Sequence, residues 1–336
     1  MKTGTVIYTR PHVLVSFHRK LLRLSVMVFL PLILSFSTVS AKGKLTYDNG
    51  YWSAQEIDTI CPENRDSLLF RLNIKYLNAV HDRKSPYEVI PIIGEILGID
   101  TSQYNLWFDL GREHIKIHNF QHAIDALNTG LRMFPSHDSR SLVPIYLSLS
   151  FCYHKIDRHQ KEKEILETAS QIQPDHPDII GRYAVCAHSR LRHTEANYYI
   201  DRLVNILRKN GSSESEIAFY LGNLFMTTDY LEAEKYLRIA YEFEPEDVKI
   251  MGALAWVLIR NALKIREGME LIAKAIDKDP ENAVFIHQQG YGYYLQGKYE
   301  AAMINLQKAG TLYREYSYEL DNHIMLVEEA IVSDKQ

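Results

Sequence analysis

Cysteine is scarce in this sequence, and the common sequence signatures of enzymes are missing from it. The 336 residues contain three cysteines. They contain no HExxH zinc motif, no glycine-rich phosphate loop and no GxSxG nucleophile motif. These absences argue against the metalloprotease, P-loop nucleotide-binding and α/β-hydrolase classes, so we expect no enzymatic activity and no cofactor. The composition, 46% hydrophobic and 24% charged, is that of a soluble globular chain.

Acidic residues are absent from the first 41 positions. Basic residues precede an apolar run at 24–36, and Val39-Ser40-Ala41 then offers the small side chains that a signal peptidase requires. This pattern predicts a signal peptide over residues 1–41 and an exported protein, periplasmic or secreted. The alternative is an uncleaved anchor that holds the chain in the membrane through residues 24–39, although the run is short for a full span.

Removal of the first 41 residues changes the charge of the chain. The removed segment contains five basic residues and no acidic ones. The remaining chain therefore has 33 basic and 42 acidic residues, a net charge of −9. Nucleic acid is a strong polyanion that binds basic surfaces. We therefore expect no nucleic-acid partner, and a membrane contact only through the N-terminal segment if it is retained.

A 34-residue pattern is written six times between Tyr104 and Tyr316. The pattern is a large apolar residue, a small residue, an aromatic one and a central alanine, and most copies end at a proline. The clearest copy is the sixth, with these residues in order: Ile286, Gly290, Tyr293, Gly297, Tyr299, Ala302, Leu306 and Ala309.

The spacing within a copy predicts two packed helices. Large apolar residues recur at intervals of three and four, the mark of amphipathic helices. The small residue of the first helix falls opposite the alanine of the second, so the two backbones can approach closely. Proline disfavours helix in the residue before it, and the second helix is expected to stop at such a residue. Four copies end in this way, at Pro135, Pro174, Pro245 and Pro280.

The six copies resemble the tetratricopeptide repeat family. The resemblance implies an all-α fold, a right-handed superhelical solenoid of about six helix-turn-helix repeats whose working part is a concave groove. The predicted repeats span 104–137, 143–176, 177–210, 215–247, 249–282 and 283–316. Family members that clamp a terminal carboxylate use an arrangement of Lys and Asn that this sequence does not reproduce, so a cytosolic co-chaperone role is in doubt.

Less regular segments flank the repeats. Residues 42–103 read as a helical lead-in, a degenerate repeat that caps the first hairpin, with capping-box spacing at Ser53-Ala54-Gln55-Glu56. Helices are expected from Asp66 to His81 and from Tyr87 to Leu97. Residues 317–336 place apolar side chains on one stripe and predict a C-terminal capping helix.

The cysteines and histidines predict no covalent or metal site. Cys152 and Cys186 hold equivalent places in adjacent copies, too far apart for a disulfide, so free buried thiols are expected. Cys61 could be free or pair with another chain. His114 and His118 have helical i, i+4 spacing, but a third metal ligand is not evident. The pairs His154 with His159 and His188 with His193 are five residues apart and do not share a helical face.

A binding groove can be outlined from the first-helix positions that face away from the second helix. The resemblance implies that these positions line the concave side, and none of them is acidic. The predicted contact residues are Arg112, Lys116, His154, Lys155, His188, Asn223, Arg260, Asn261, Tyr291 and Tyr294. The alternative is that charge on these faces is merely solubilising.

The function predicted from the sequence is therefore a non-catalytic scaffold for protein–protein interaction. It would hold an extended peptide or a partner protein in the groove. The alternative is a membrane-tethered assembly or secretion factor of the cell envelope, with the N-terminal segment retained. A third class, an enzyme or metal protein, would need a cluster that the sequence does not display.

Overall fold

A computed structural model of the chain describes residues 44–48, 51–55, 62–135, 139–261 and 264–334. The chain divides into two units, Met1–Ala41 and Lys42–Gln336, and every described residue belongs to the second. The predicted signal segment, its apolar run and Cys61 lie outside the described residues. No helix among the described residues combines the length and the apolar character needed to cross a membrane.

The second unit begins with two strands rather than with a helix. Strand β1 (Lys44–Asp48) pairs antiparallel with β2 (Tyr51–Gln55), and Thr46 lies opposite Ser53. The predicted capping box at Ser53 is therefore wrong. The sequence between the strands is Asn49-Gly50, the dipeptide favoured in two-residue hairpin turns. This turn signal is a better guide to the segment than the capping-box spacing that follows it.

Fifteen α-helices follow in the described residues, and they are numbered α1 to α15 in chain order. The ranges are Pro62–His81, Pro86–Ile99, Tyr104–Lys116, Phe120–Met133, Val143–Lys155, His159–Ile172, Pro177–Ser189, His193–Lys209, Glu214–Phe225, Tyr230–Phe243, Val248–Arg260, Ile265–Lys278, Ala283–Leu295, Tyr299–Leu312 and Tyr318–Asp334.

These helices stack as antiparallel hairpins, each packed on the next. Helices α3 to α14 form six such pairs, one for each predicted copy, and the lead-in pair α1–α2 packs on α3. Helix α15 packs on α14 and also touches α13. The predicted all-α repeat fold is confirmed for the helices from α1 to α15.

Close approach of the two helices of a hairpin depends on a small residue in the first. A Cβ atom added at Gly111 would lie 2.6 Å from the Leu127 side chain, and one at Gly222 would lie 2.5 Å from Leu237. Contacts this short do not occur between real side chains, so a larger residue would push the two helices apart.

The turn between the two helices repeats as well. His118, Asp157 and Leu191 hold the same place in three successive turns, and each has φ of 57°. Gly297 holds that place in the sixth copy with φ of 73°. Left-handed backbone is costly for a residue with a side chain. The turn shape is therefore imposed by the packed hairpin rather than by a glycine.

Two segments show features of their own. Helix α8 of the third copy has 17 residues against 14 in α6. A capping box of Ser213 and Glu216 then starts α9. In the lead-in, α1 begins at Pro62, before the predicted start at Asp66, and its Val80 is exposed. Cys152 and Cys186 are free and buried, as predicted.

Candidate functional site

The first helix of each hairpin contributes to one surface, here named the first-helix face. Helices α3, α5, α7 and α9 contact one another in sequence, and α11 contacts α13. All ten predicted groove residues lie on these first helices or, for Asn261, one residue beyond. The structure collects some of them into two clusters and leaves the others apart.

The first group, here named the turn cluster, consists of His154, His159, Glu162 and Arg182. His154 Nδ1–H donates to Oε2 of Glu162 over 2.9 Å, and His159 Nδ1–H donates to the same oxygen over 3.1 Å. Arg182 reaches from α7 of the next hairpin and donates to Oε1 over 2.8 Å. Glu162 is fully buried, and its carboxylate forms ion pairs with the other three members of the cluster, His154, His159 and Arg182.

The local sequence explains how a carboxylate comes to be buried here. Glu162 occupies the central position of its copy, where the first copy has Ala123. Ser150 replaces the small glycine of the first helix, and Arg182 donates to both its hydroxyl and its carbonyl over 3.2 Å. Burial alone would raise the pKa of Glu162, but the hydrogen bond from His154 and the charge of Arg182 lower it below its usual value. The carboxylate is therefore ionised.

A surface pocket of about 290 Å³ opens beside the turn cluster. Its lining residues come from the turns of three successive hairpins: His154, Lys155, Asp157, His159, Ser189, Thr227 and Thr228. Lys155 spans the pocket and donates from Nζ to the carbonyl of Thr227 over 3.1 Å. Of the ten predicted groove residues, His154 and Lys155 line this pocket.

His188 extends this polar surface to the fourth hairpin. Its Nε2 atom lies 2.8 Å from Oδ2 of Asp229. The other oxygen of Asp229 accepts from the backbone N–H groups of Leu231 and Glu232 and so caps α10. Burial opposes ionisation of Asp229, but these hydrogen bonds hold its pKa below the usual value.

The second group, here named the aromatic cluster, consists of Trp256, His287, Tyr291 and His323. The rings of Tyr291 and His323 stack with centroids 4.0 Å apart, and His287 Nε2 lies 2.8 Å from His323 Nδ1. The guanidinium of Arg260 lies 5.3 Å from the Trp256 ring and 5.5 Å from the Tyr291 ring. Burial lowers the pKa of His287 to about 4 and that of His323 to about 3.

His323 belongs to α15, so the C-terminal helix lies against the first-helix face. The start of this helix reaches the other end of the stack. The rings of Tyr318 and His118 are 4.4 Å apart, and those of Tyr316 and Tyr87 are 5.9 Å apart. Segment 316–323, which includes Glu319, therefore contacts the lead-in, the first copy and the last copy.

Among the other predicted groove residues, Tyr294 joins the aromatic cluster. Its ring centroid lies 5.9 Å from that of Tyr291. Arg112 pairs with Asp109 one helical turn earlier, and Lys116 pairs in the same way with Glu113. The positive charges of Arg112 and Lys116 are thus balanced by acids within α3. Asn223 is exposed on α9.

The histidine pairs behave differently from what their spacing suggests. His118 lies beyond the end of α3, so it does not share a helical face with His114. His154 and His159 lie on opposite sides of a turn, and their ring centroids are 5.1 Å apart. Spacing along a single helix was the wrong criterion for these two, because the hairpin folds one back beside the other.

Several members of the clusters were not identified from the sequence. Glu162 carries a signal that was available, since it stands where the other copies have alanine or glycine. Arg182 and His323 carry none, because each contact depends on how one hairpin or helix packs on another. Trp256 fits its copy as a packing residue, and only the structure shows its ring facing Arg260.

Comparison with known proteins identifies the repeat in one copy. The family model described as tetratricopeptide repeat matches residues 143–176, the second predicted copy. This match supports the family resemblance seen in the sequence. Comparison with curated proteins found no matching relative.

Solved structures of similar helical repeats were also found. A tetratricopeptide repeat protein from Parabacteroides merdae is 17% identical, with 78% of this chain and 99% of that chain covered and a TM-score of 0.45. The crystal structure of MamA is 21% identical over 45% of this chain and 82% of that chain, with a TM-score of 0.37. Both scores are too low to support a conclusion about what this chain binds.

Proposed function

We propose that the chain is a non-catalytic scaffold that binds an extended segment of a partner protein on its first-helix face. The observation that supports this is the packing of the chain's own segment 316–323 against that face. His323 stacks on Tyr291, and Tyr318 packs on His118. The face thus accepts a segment that carries aromatic rings, and a partner would present side chains of the same kind.

The charges on the face suit acidic residues in the partner. Lys155 donates to a backbone carbonyl, and its described carboxylate interaction is the electrostatic one with Glu319. The described contacts of Arg260 are with the rings of Tyr230, Trp256 and Tyr291. A carboxylate placed near either cation would gain a charge-assisted hydrogen bond. The proposed ligand is therefore a peptide with aromatic and acidic residues.

Export belongs to the same proposal. Its support is the sequence of residues 1–41, with basic residues, an apolar run and Val39-Ser40-Ala41 in order. Mass spectrometry of the chain recovered from the cell envelope tests it. Cleavage leaves Lys42 as the first residue, whereas a retained N-terminal segment would favour the membrane-tethered alternative.

Selection of peptides from a displayed library by the full chain tests the binding proposal. Peptides that bind are then measured against the variants Lys155→Glu and Arg260→Glu. We expect each reversal to weaken binding by at least about tenfold, because it replaces an attraction with a repulsion. Arg266→Glu is the matched control, since Arg266 lies outside both clusters, is 94% exposed and pairs with Glu270.

Circular dichroism of each variant shows whether the helices remain intact. Equal binding by all three variants would remove the first-helix face as the binding surface. A library that yields no binder to the full chain, or to a chain shortened before α15, would count against a peptide-binding scaffold altogether.

A further inference from the structure

The central position of the second hairpin differs from that position in every other copy. The other five copies have a small residue there: Ala123, Ala196, Ala233, Gly268 and Ala302. The second copy has Glu162, which is fully buried. Burial of an unpaired carboxylate is strongly unfavourable, so the chain must supply partners for it. The partners it supplies are metal-ligating side chains.

We propose that His154, His159 and Glu162 form a binding site for a divalent transition-metal ion of the Zn²⁺ class. One ligand atom from each residue, an imidazole nitrogen or a carboxylate oxygen, can be chosen so that all three lie within 4.8 Å of one another. Each Nδ1 atom is about 3 Å from Oε2 of Glu162, at 2.9 and 3.1 Å. Ligand atoms about 2.0–2.2 Å from a tetrahedral Zn²⁺ lie at roughly such separations from one another.

The types of ligand select the kind of cation. Imidazole nitrogen suits Zn²⁺, Co²⁺, Ni²⁺ and Cu²⁺, whereas Mg²⁺ and Ca²⁺ prefer sites made of oxygen. Two histidines and a glutamate leave a fourth tetrahedral position for solvent. His154 and His159 also line the 290 Å³ pocket, so the proposed site borders a space open to solvent.

Groups around the ligands hold them in place. Arg182 donates to Oε1 of Glu162 and leaves Oε2 directed at the two imidazoles. Arg182 is itself fixed by two hydrogen bonds to Ser150. Hydrogen bonds of this kind orient ligating side chains, and their loss typically weakens metal binding by about 10–100-fold.

The same residues form a complete hydrogen-bonded network when no metal is bound. The two imidazoles then carry their protons on Nδ1 and donate to Glu162. On metal binding each imidazole carries its proton on Nε2 instead, so neither ring changes charge. The positive charges of Arg182 and Lys155 lie nearby and disfavour a cation. We therefore expect stoichiometric but moderate affinity, and stronger binding by a Lys155→Met variant.

Cobalt spectroscopy and zinc calorimetry of the full chain test this site. The chain is produced without a polyhistidine tag, treated with EDTA and titrated with Co²⁺ and then with Zn²⁺. We expect one equivalent of each to bind, and the Co²⁺ form to show the intense visible bands of tetrahedral coordination. His159→Asn should weaken Zn²⁺ binding by more than about 100-fold and abolish those bands, since it removes one of three ligands.

His188→Asn is the matched control, because His188 also pairs with one carboxylate but lies outside the three ligands. His159 is partly exposed, so its replacement leaves the buried pair of Glu162 and Arg182 intact and the fold can be checked by circular dichroism. Absence of a stoichiometric metal, octahedral Co²⁺ spectra, or equal loss of binding in the two variants would overturn the proposal.

Discussion

The turn cluster and the aromatic cluster each bring a histidine of a first helix together with a histidine from another helix, but in opposite electrostatic surroundings. In the turn cluster, both imidazoles donate to the ionised carboxylate of Glu162. In the aromatic cluster, His287 and His323 bond to each other among rings, and burial lowers the pKa of both. A carboxylate thus makes one cluster a charged network, and its absence makes the other a neutral one.

The largest effect is expected when the charged network loses its guanidinium. Arg182→Met leaves Glu162 buried without its cation, and we expect a loss of about 3–5 kcal/mol in the free energy of unfolding. Urea denaturation followed by circular dichroism measures it. The control is Lys161→Met at the exposed pair with Glu164, where solvent screens the charges and little change in stability is expected.

A double variant sharpens the same experiment. Adding Glu162→Ala to Arg182→Met removes the uncompensated charge and restores the small residue found in the other copies. We expect part of the lost stability to return. If Arg182→Met costs no more than the control, the turn cluster is not the electrostatic unit described above.

Lowering the pH should destabilise the aromatic cluster. The folded-state pKa of His287 and of His323 lies below the usual 6.5, at about 4 and about 3. Below pH 6.5 these two histidines bind more protons in the unfolded chain than in the folded chain. Their contribution to the free energy of unfolding is therefore fully present above pH 6.5 and is lost as the pH falls toward 4. The loss is up to about 3 kcal/mol for His287.

Fluorescence of the tryptophans as a function of pH follows this transition, because Trp256 lies beside both imidazoles. The variant with His287→Phe and His323→Phe should show a flatter profile between pH 6.5 and 4. His114, whose pKa burial lowers to about 4, remains as the background in both chains. Identical profiles would show that the neutral pair does not control attachment of α15.

A smaller effect is expected at the start of α15. Tyr318→Ala removes the ring that packs on His118, a contact worth about 0.5–1.5 kcal/mol. Hydrogen exchange of the amides in 318–323 should become faster, whereas exchange in α5 to α7 should stay the same. Unchanged exchange at α15 would mean that the contact between Tyr318 and His118 does not hold the start of this helix in place.

The smallest effect concerns Arg260. Replacement by Met keeps most of the apolar stem but removes the charge that lies over three rings, at a cost of about 0.5–1 kcal/mol. Thermal denaturation of Arg260→Met against Arg266→Met measures the difference. A larger loss than that of Arg182→Met would reverse the contrast between the two clusters.

The repeated hairpins could be predicted from the sequence because their determinants are local and recur. Gly111 and Gly222 sit where a side chain would strike the second helix, and the prolines mark where second helices end. The contacts of the clusters could not be predicted in the same way. Arg182 reaches Glu162 from the next hairpin, and His323 meets Tyr291 from the end of the chain. Such pairs depend on packing angles that no spacing rule fixes.

The strands β1 and β2 were missed for another reason. Their signal is a turn dipeptide, Asn49-Gly50, flanked by aromatic and β-branched residues. Helical spacing in the following residues pointed the other way. A turn signal of two residues is short, and the helical repeats that follow it dominate the pattern, so the hairpin was predicted as part of the helical lead-in.

The left-handed turn residues have a practical consequence. His118, Asp157 and Leu191 share one backbone conformation but carry unrelated side chains, and Leu191 is 78% exposed. The hairpin tip therefore tolerates chemical variety without a change of shape. Leu191→Cys would therefore place a fluorescent label at a surface position whose backbone conformation is fixed. Leu191→Gly would stabilise the turn by about 1 kcal/mol, because glycine adopts left-handed backbone without a steric cost.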